Sequence, residues 1–411
     1  MPLIEALLLL LIVSRVIGEI MERFRQPAML GEILAGVRLG PSVFNLIQYT
    51  PEIRAIADVG VLLLVFLTGM EMEPTALWRA FRGRGAWVGI SGFVVPLLLG
   101  MAVGYAMGGT KTRMVFIGLC VAITALPVSV RILLDIDQLQ SELGQKIISA
   151  AVMNDAISLL ILGVILDVKN AGAGAFSEKL AESLGLALLK AVLFMAAVII
   201  ASKLIKKYFM PHFRRAGGRL DQLVAKLKGK ESMFAVVFLF VIAFAALSQV
   251  LGLDFIVGAF FGAMLLSYAV LGKANYEEVR KTASNVTMGF LGPIFFAAIG
   301  LEFDVSSLRN WSLIAAILAA AFIGKIFGGY VGGRLAGLDR AESWTLGVGL
   351  NGRGVMELVI ANIALANGFI SKQLFTALVL MAVVTTFCTP FLLSRALSVG
   401  AFAADRKSAA S

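Results

Sequence analysis

The chain has 411 residues, 59% of them hydrophobic and only 15% charged, with a mean hydropathy of +0.91. That much apolar surface cannot be hidden inside a water-soluble fold. The charges cluster between apolar stretches of roughly twenty residues, as bilayer-spanning helices require, so the expected partner is the lipid bilayer. The net charge of +10 is carried by loops without interleaved aromatic residues, which argues against nucleic acid as a partner.

Cys120 and Cys388 are the only cysteines and His212 the only histidine. This excludes a disulfide framework and a transition-metal site built from several Cys and His ligands. No cofactor is expected. No paired nucleophile and base is found, so an enzyme is not expected either.

In chain order, the hydropathy pattern predicts helices at about 3–22, 27–46, 54–71, 85–107, 112–134, 142–168, 182–208, 232–251, 253–272, 283–302, 310–337, 341–366 and 373–400. The fold class expected is therefore an all-α membrane protein of about 13 transmembrane helices. The first stretch, Leu3 to Ile20, has an acidic flank and no small-residue cleavage pattern, and is expected to be a retained helix. The hydrophilic stretch from Lys203 to Lys230 reads equally well as an amphipathic helix on the inner leaflet or as a solvated basic linker. Loops after odd-numbered helices, with the tail, hold roughly 24 of the basic residues, against roughly 7 in the other loops. That bias places the N-terminus outside and the C-terminus in the cytoplasm, with residues 401–411 as a short cytoplasmic tail.

A weak internal repeat runs through this pattern. Leu30-Gly31-Glu32-Ile33-Leu34-Ala35-Gly36 matches Val257-Gly258-Ala259-Phe260-Phe261-Gly262-Ala263 at an offset of 227 residues. The same offset carries Ala125-Leu126-Pro127-Val128 onto Gly352-Arg353-Gly354-Val355. The two halves would run in opposite directions. Inverted five-helix repeats with corresponding broken helices are the mark of a secondary transporter whose site lies near the midplane.

Four places in the apolar helices carry groups that lipid would reject. Asn154-Asp155 lies midway along the sixth predicted helix, where a carboxylate costs several kcal/mol unless it faces protein, water or a counter-charge. Asp155 is either a packing acid held by a salt bridge or a site that takes a proton or a hard monovalent cation in competition. Lys325 lies mid-helix in the eleventh, on a stripe formed by Gly324, Gly328 and Gly332 that suits close helix approach. It is expected to pair with Asp155. Thr124-Ala125-Leu126-Pro127 interrupts the fifth helix and Asn351-Gly352-Arg353-Gly354 the twelfth, where proline removes a donor and glycine permits unwinding. Half-helix ends there would offer carbonyls to a cation, and Arg353 and Glu357 would neutralise the dipole ends or simply pair at i,i+4 spacing.

Together, Gln26-Pro27-Ala28-Met29-Leu30-Gly31-Glu32-Ile33-Leu34-Ala35-Gly36, Phe66-Leu67-Thr68-Gly69-Met70-Glu71, Gly292-Pro293-Ile294-Phe295-Phe296 and Asn351-Gly352-Arg353-Gly354-Val355-Met356-Glu357-Leu358 make the chain resemble the second family of monovalent cation:proton antiporters. That family includes Kef-type potassium efflux systems and bacterial sodium/proton exchangers. The resemblance implies exchange of sodium or potassium for protons in the inner membrane by a homodimer working through an elevator movement. It implies scaffold helices at about 3–71 and 232–302, core helices at about 85–168 and 310–400, and a linker helix at about 182–208. Asp155 matches the family's essential carboxylate, Asn154 the polar position before it, and Lys325 the basic residue of the neighbouring core helix. Thr124, Arg353 and Glu357 match the broken helices.

Electrogenic sodium/proton members carry two consecutive acids, whereas Asn154 precedes Asp155 here, so exchange is expected to be electroneutral. A cytoplasmic nucleotide-binding domain, frequent in potassium efflux members, would have to come as a separate regulatory subunit. The rival reading is a sodium-coupled organic-anion symporter of similar fold, with Arg353 binding the substrate carboxylate.

Overall fold

The computed structural model describes residues 1–24, 26–72, 85–124, 141–170, 231–251, 253–266 and 268–408, and the single positions 133, 189, 193, 198 and 200. The basic stretch from 203 to 230, residues 125–127 of the fifth predicted helix and nearly all of the expected linker helix lie outside the described residues.

Among the described residues every regular element is a helix. The helices are α1 (Leu3–Arg23), α2 (Ala28–Leu39), α3 (Pro51–Glu71), α4 (Ala86–Ala106), α5 (Lys111–Ala122), α6 (Glu142–Asn170), α7 (Glu231–Val250), α8 (Phe255–Leu265), α9 (Lys273–Val286), α10 (Gly292–Glu302), α11 (Trp311–Leu335), α12 (Arg340–Gly349), α13 (Val355–Ala366) and α14 (Lys372–Ser408). Seven spans among the described residues are long and apolar enough to cross a membrane: Pro51–Glu71, Ala86–Ala106, Glu142–Gly163, Met233–Val250, Lys273–Glu302, Trp311–Leu335 and Lys372–Leu397.

Several boundaries differ from expectation, two of them for a plain local reason. The second helix ends at Leu39 and not near 46, because Gly40 is extended (ψ 179°) ahead of Pro41. The tenth begins ten residues earlier than predicted. Lys273–Val286 is polar, so hydropathy hides it, yet it is helical and carries an Arg280–Glu277 ion pair of 3.3 Å. A π-turn over Thr287–Leu291 joins α9 to α10, with the Gly292 N–H donating to Thr287 O. Pro293 follows at once; it has no N–H to continue the ladder, and a widened turn accommodates it. Finally, residues expected as a tail continue α14 as far as Ser408.

The chain divides into two compact units: Met1–Ala57 with Ala76–Ser158 and Pro293–Ser411, and Asp58–Thr75 with Leu159–Gly292. In the first unit α11 is held between two neighbours. Gly324 and Gly328 lie against α4, where an added Cβ would stand 2.8 Å from Pro96 Cα and 2.6 Å from Ser91 O. Gly333, on another face, lies 2.9 Å by the same measure from Ser343 Cα of α12. Ser91 Oγ donates across the first contact to Gly328 O at 2.8 Å. This double packing fixes the rotation of α11, and with it the direction of Lys325.

Within the same unit α2 is pressed onto α10. A Cβ on Gly36 would overlap the backbone of Ala297, and one on Gly300 would overlap Ile33 O. Backbone cannot yield as a side chain can. Gly36→Ala should therefore cost about 1–3 kcal/mol through overpacking. A thermal unfolding curve in detergent checks this; an unchanged midpoint would show that α2 and α10 do not touch here.

In the second unit Phe66 of α3 meets Phe234 and Phe238 of α7 edge-on, with centroids 6.4 and 6.0 Å apart. Tyr276 of α9 donates to Met70 O at the end of α3 at 2.8 Å.

Candidate functional site

The site lies in the first unit and begins with two helices that stop inside apolar surroundings. α5 is N-capped by Thr110, whose side chain accepts from Arg113 N at 3.3 Å. It ends at Ala122, and Ile123 is extended (ψ 147°). α12 starts on a capping box between Asp339 and Glu342 and ends at Gly349, with α13 resuming only at Val355. The two breaks meet: Thr124 Oγ1 lies 3.2 Å from Leu350 O.

A helix that stops in a dry interior leaves its last carbonyls without donors. At the end of α5, Leu119 O accepts from Ile123 N at 3.2 Å. The next four carbonyls are taken by two cations. Arg353 Nη1 donates to Cys120 O (2.7 Å) and Ile123 O (2.8 Å), Arg353 Nη2 to Val121 O (2.5 Å), and Lys325 Nζ to Ala122 O. Lys325 Nζ also donates to Gly92 O of α4 (3.0 Å) and Thr124 Oγ1 (2.6 Å). The negative end of the α5 dipole is thus met by two buried positive charges, each 0% exposed. The break that supplies Arg353 is itself clamped by Thr386 of α14, which accepts from Arg353 N at 3.2 Å and donates to Arg353 O at 2.8 Å.

Lys325 and Asp155, expected to pair, interact electrostatically but make no hydrogen bond or ion-pair contact among the described residues. The ammonium has three donors, and three oxygens from α4, α5 and Thr124 engage all of them. Asp155 is 1% exposed, and among the described residues neither carboxylate oxygen has a hydrogen-bond donor. Arg353 and Glu357 stand closer to expectation. Arg353 Nε approaches Glu357 Oε2 at 3.7 Å, an ion-pair contact beyond hydrogen-bonding range, and both Glu357 oxygens also lack a donor among the described residues.

Asn154, next to Asp155 in α6, ties the carboxylate's helix to the break. Its surroundings orient the amide. The nitrogen faces Gly89 O (3.1 Å) and Ala150 O (3.2 Å), leaving the oxygen to accept from Thr124 Oγ1 at 3.2 Å. Thr124, Asn154 and Lys325 are therefore directly bonded, Arg353 and Glu357 flank them, and Asp155 joins through its backbone neighbour. Thr386 and the carbonyls of Gly89 and Gly92 are participants that the sequence reading missed. A run of hydroxyls at Thr385, Thr386 and Thr389 in an otherwise apolar helix was the available signal for the first. Backbone carbonyls carry no sequence signal.

Such an arrangement offers a buried carboxylate without competing donors, beside a polarised helix end. It suits a proton or a hard monovalent cation, since oxygen ligands suit hard ions.

Known proteins agree with a transporter. The family model described as sodium/hydrogen exchanger, transmembrane, matches residues 7–399. The Na(+)/H(+)-K(+) antiporter GerN of Bacillus cereus is 28% identical over 385 residues, covering 93% of each chain. The Na(+)/H(+) antiporter NhaS4 of Synechocystis sp. is 30% identical over 401 residues, covering 92% of each. Among solved structures, the sodium proton antiporter MjNhaP1 of Methanocaldococcus jannaschii superposes with a TM-score of 0.68 over 97% of this chain and 96% of that one, at 17% identity. A match over nearly the whole length, in an all-helical fold with this many apolar spans, leaves one conclusion: the chain belongs to the transmembrane sodium/hydrogen exchanger family of monovalent cation:proton antiporters.

Proposed function

We propose that this protein exchanges a monovalent cation, sodium or potassium, for protons across the cell membrane, with Asp155 as the shared site. The observation that carries the reading is the Asp155 carboxylate, buried midway along α6 with no donor to either oxygen among the described residues. A group so placed must take up a positive charge, and a proton and a small cation are the two candidates. The printed names of the relatives support both sodium and potassium as cargo.

Exchange is one-for-one and electroneutral. Each Lys325 donor already meets an oxygen, so releasing a proton would orphan an acceptor at the end of α5. Lys325 therefore keeps its charge through the cycle, Asn154 does not titrate, and Asp155 alone swaps one positive charge for another. Reconstituted proteoliposomes with an internal pH dye test this with lithium, sodium, potassium and rubidium. At least one ion should move protons. The rate should be flat under an imposed potential, although a transferred charge would gain about 2.3 kcal/mol per 100 mV. No proton movement with any ion overturns the reading; a voltage-dependent rate overturns its electroneutral part.

The protein works as a homodimer by an elevator movement, with helices at about 3–71 and 232–302 as scaffold, those at about 85–168 and 310–400 as core and a linker helix at about 182–208, the N-terminus outside and the C-terminus cytoplasmic. Two inverted repeats underlie it. In support, Gly31 of α2 packs on α1 at Ile17 as Gly258 of α8 packs on α7 at Ala245, with added Cβ atoms 2.6 and 2.7 Å from the neighbouring backbone. The end of α5 ahead of Thr124 and the interruption of α12–α13 over Leu350–Gly354 also support the reading.

A further inference from the structure

Asn351 is 0% exposed, and among the described residues neither its amide oxygen nor its amide nitrogen has a partner. A primary amide has two donors and an acceptor with two lone pairs, so leaving all of it dry is costly. α12 has ended two residues earlier, and the main chain is already anchored by Asn351 N donating to Val348 O at 3.1 Å, so the side chain is not needed to hold the turn. Sequence neighbours and two polar contacts of Thr124 relate it to Asp155. Asp155 follows Asn154, whose amide meets Thr124 Oγ1; that oxygen lies against Leu350 O, and Asn351 follows Leu350. Two buried side chains with unpartnered oxygens thus flank one short chain of polar contacts, one from α6 and one from the break after α12. The same break sends Arg353 away to the end of α5, so its cation does not compete at Asn351.

We propose that the Asn351 amide oxygen is a neutral ligand of the transported cation and sets its affinity and selectivity, complementing the charge supplied by Asp155. This rests on the antiporter reading above. A neutral ligand suits the cycle: it helps replace the hydration shell of a hard ion, adds no charge, and leaves one-for-one exchange electroneutral. A proton on Asp155 needs no such help, so Asn351 favours the cation state over the protonated one.

The test is exchange by Asn351→Ala and Asn351→Ser in proteoliposomes with lithium, sodium and potassium chlorides, alongside wild type and Asp155→Asn. Ion-dependent thermal stabilisation of the same proteins in detergent is measured in parallel. The expected result is a rise in the apparent KM of the transported ion of about tenfold for Asn351→Ala, the size of one lost polar contact to a charge. The order of preference among the three ions should change, and the ion-induced thermal shift should shrink. Serine, which keeps a neutral oxygen, should recover part of the affinity. If wild type exchanges, Asp155→Asn does not, and the Asn351 variants keep wild-type KM and ion order, this inference is overturned while the antiporter reading stands. A lowered melting point with unchanged KM assigns Asn351 a purely structural bond and overturns it equally. If wild type moves no ion, both fall together.

Discussion

Replacement of Asp155 by asparagine is expected to abolish cation-dependent proton movement while leaving the fold intact. The substitution keeps shape and volume and removes only the charge. It also removes a carboxylate that no described donor holds, so no hydrogen bond is broken by the change. Stability should therefore stay level or rise, because burying an amide is cheaper than burying an unpaired carboxylate. Transport should vanish for a separate reason: an amide neither takes up a proton at working pH nor supplies the negative charge that draws a cation out of water. The two readouts move in opposite directions, which a residue serving only the packing of α6 would not allow. Proteoliposome exchange and thermal unfolding on one preparation decide it. Wild-type exchange in a well-folded Asp155→Asn protein would remove Asp155 from the mechanism and leave Glu357 as the other buried carboxylate without donors among the described residues.

Truncation of Arg353 is expected to act through structure. Its guanidinium holds Cys120 O, Val121 O and Ile123 O at 2.7, 2.5 and 2.8 Å, and alanine would strand all three where no water replaces the donors. The loss should be about 3–5 kcal/mol, the range for breaking a buried charged contact while its partners stay buried. Lysine at this position restores the charge but not the fork of donors, so Arg353→Lys should recover the melting point only in part. Turnover should fall with stability, because the end of α5 carries Thr124. An organic-anion carrier would behave differently: there the arginine would grip a substrate carboxylate, and Arg353→Ala would change affinity with little change in melting point. A thermal series of the three proteins, beside their exchange rates, separates the two roles.

Much of this protein was legible from its sequence. The hydropathy pattern alone required a membrane, because no other solvent accepts so many apolar helices. The glycines around Arg353 announced the interruption between α12 and α13, since glycine tolerates unwinding, whereas Pro127 lies outside the described residues. Asp155, Asn154, Lys325, Arg353 and Glu357 stood out because lipid-facing helices do not carry such groups. The end of α2 was also written at Gly40-Pro41, but a long apolar window overran it. The early start of α9 was hidden because a polar amphipathic helix has no hydropathy signal.

What tertiary structure alone decided was the partner of each polar group. Lys325 was expected to seek the nearest opposite charge, yet its three donors are taken by Gly92 O, Ala122 O and Thr124 Oγ1. The reason is that a helix ending in a dry interior creates unpaired carbonyls as demanding as any carboxylate, and every residue's carbonyl looks alike in a sequence. Arg353 keeps its Nε in ion-pair contact with Glu357 at 3.7 Å but sends its Nη donors to the end of α5, and Thr386 clamps the main chain of the break that carries it. The sequence determined which groups would be buried; only the folded chain, by fixing where each helix stops, decided which of them lack a hydrogen-bond partner among the described residues.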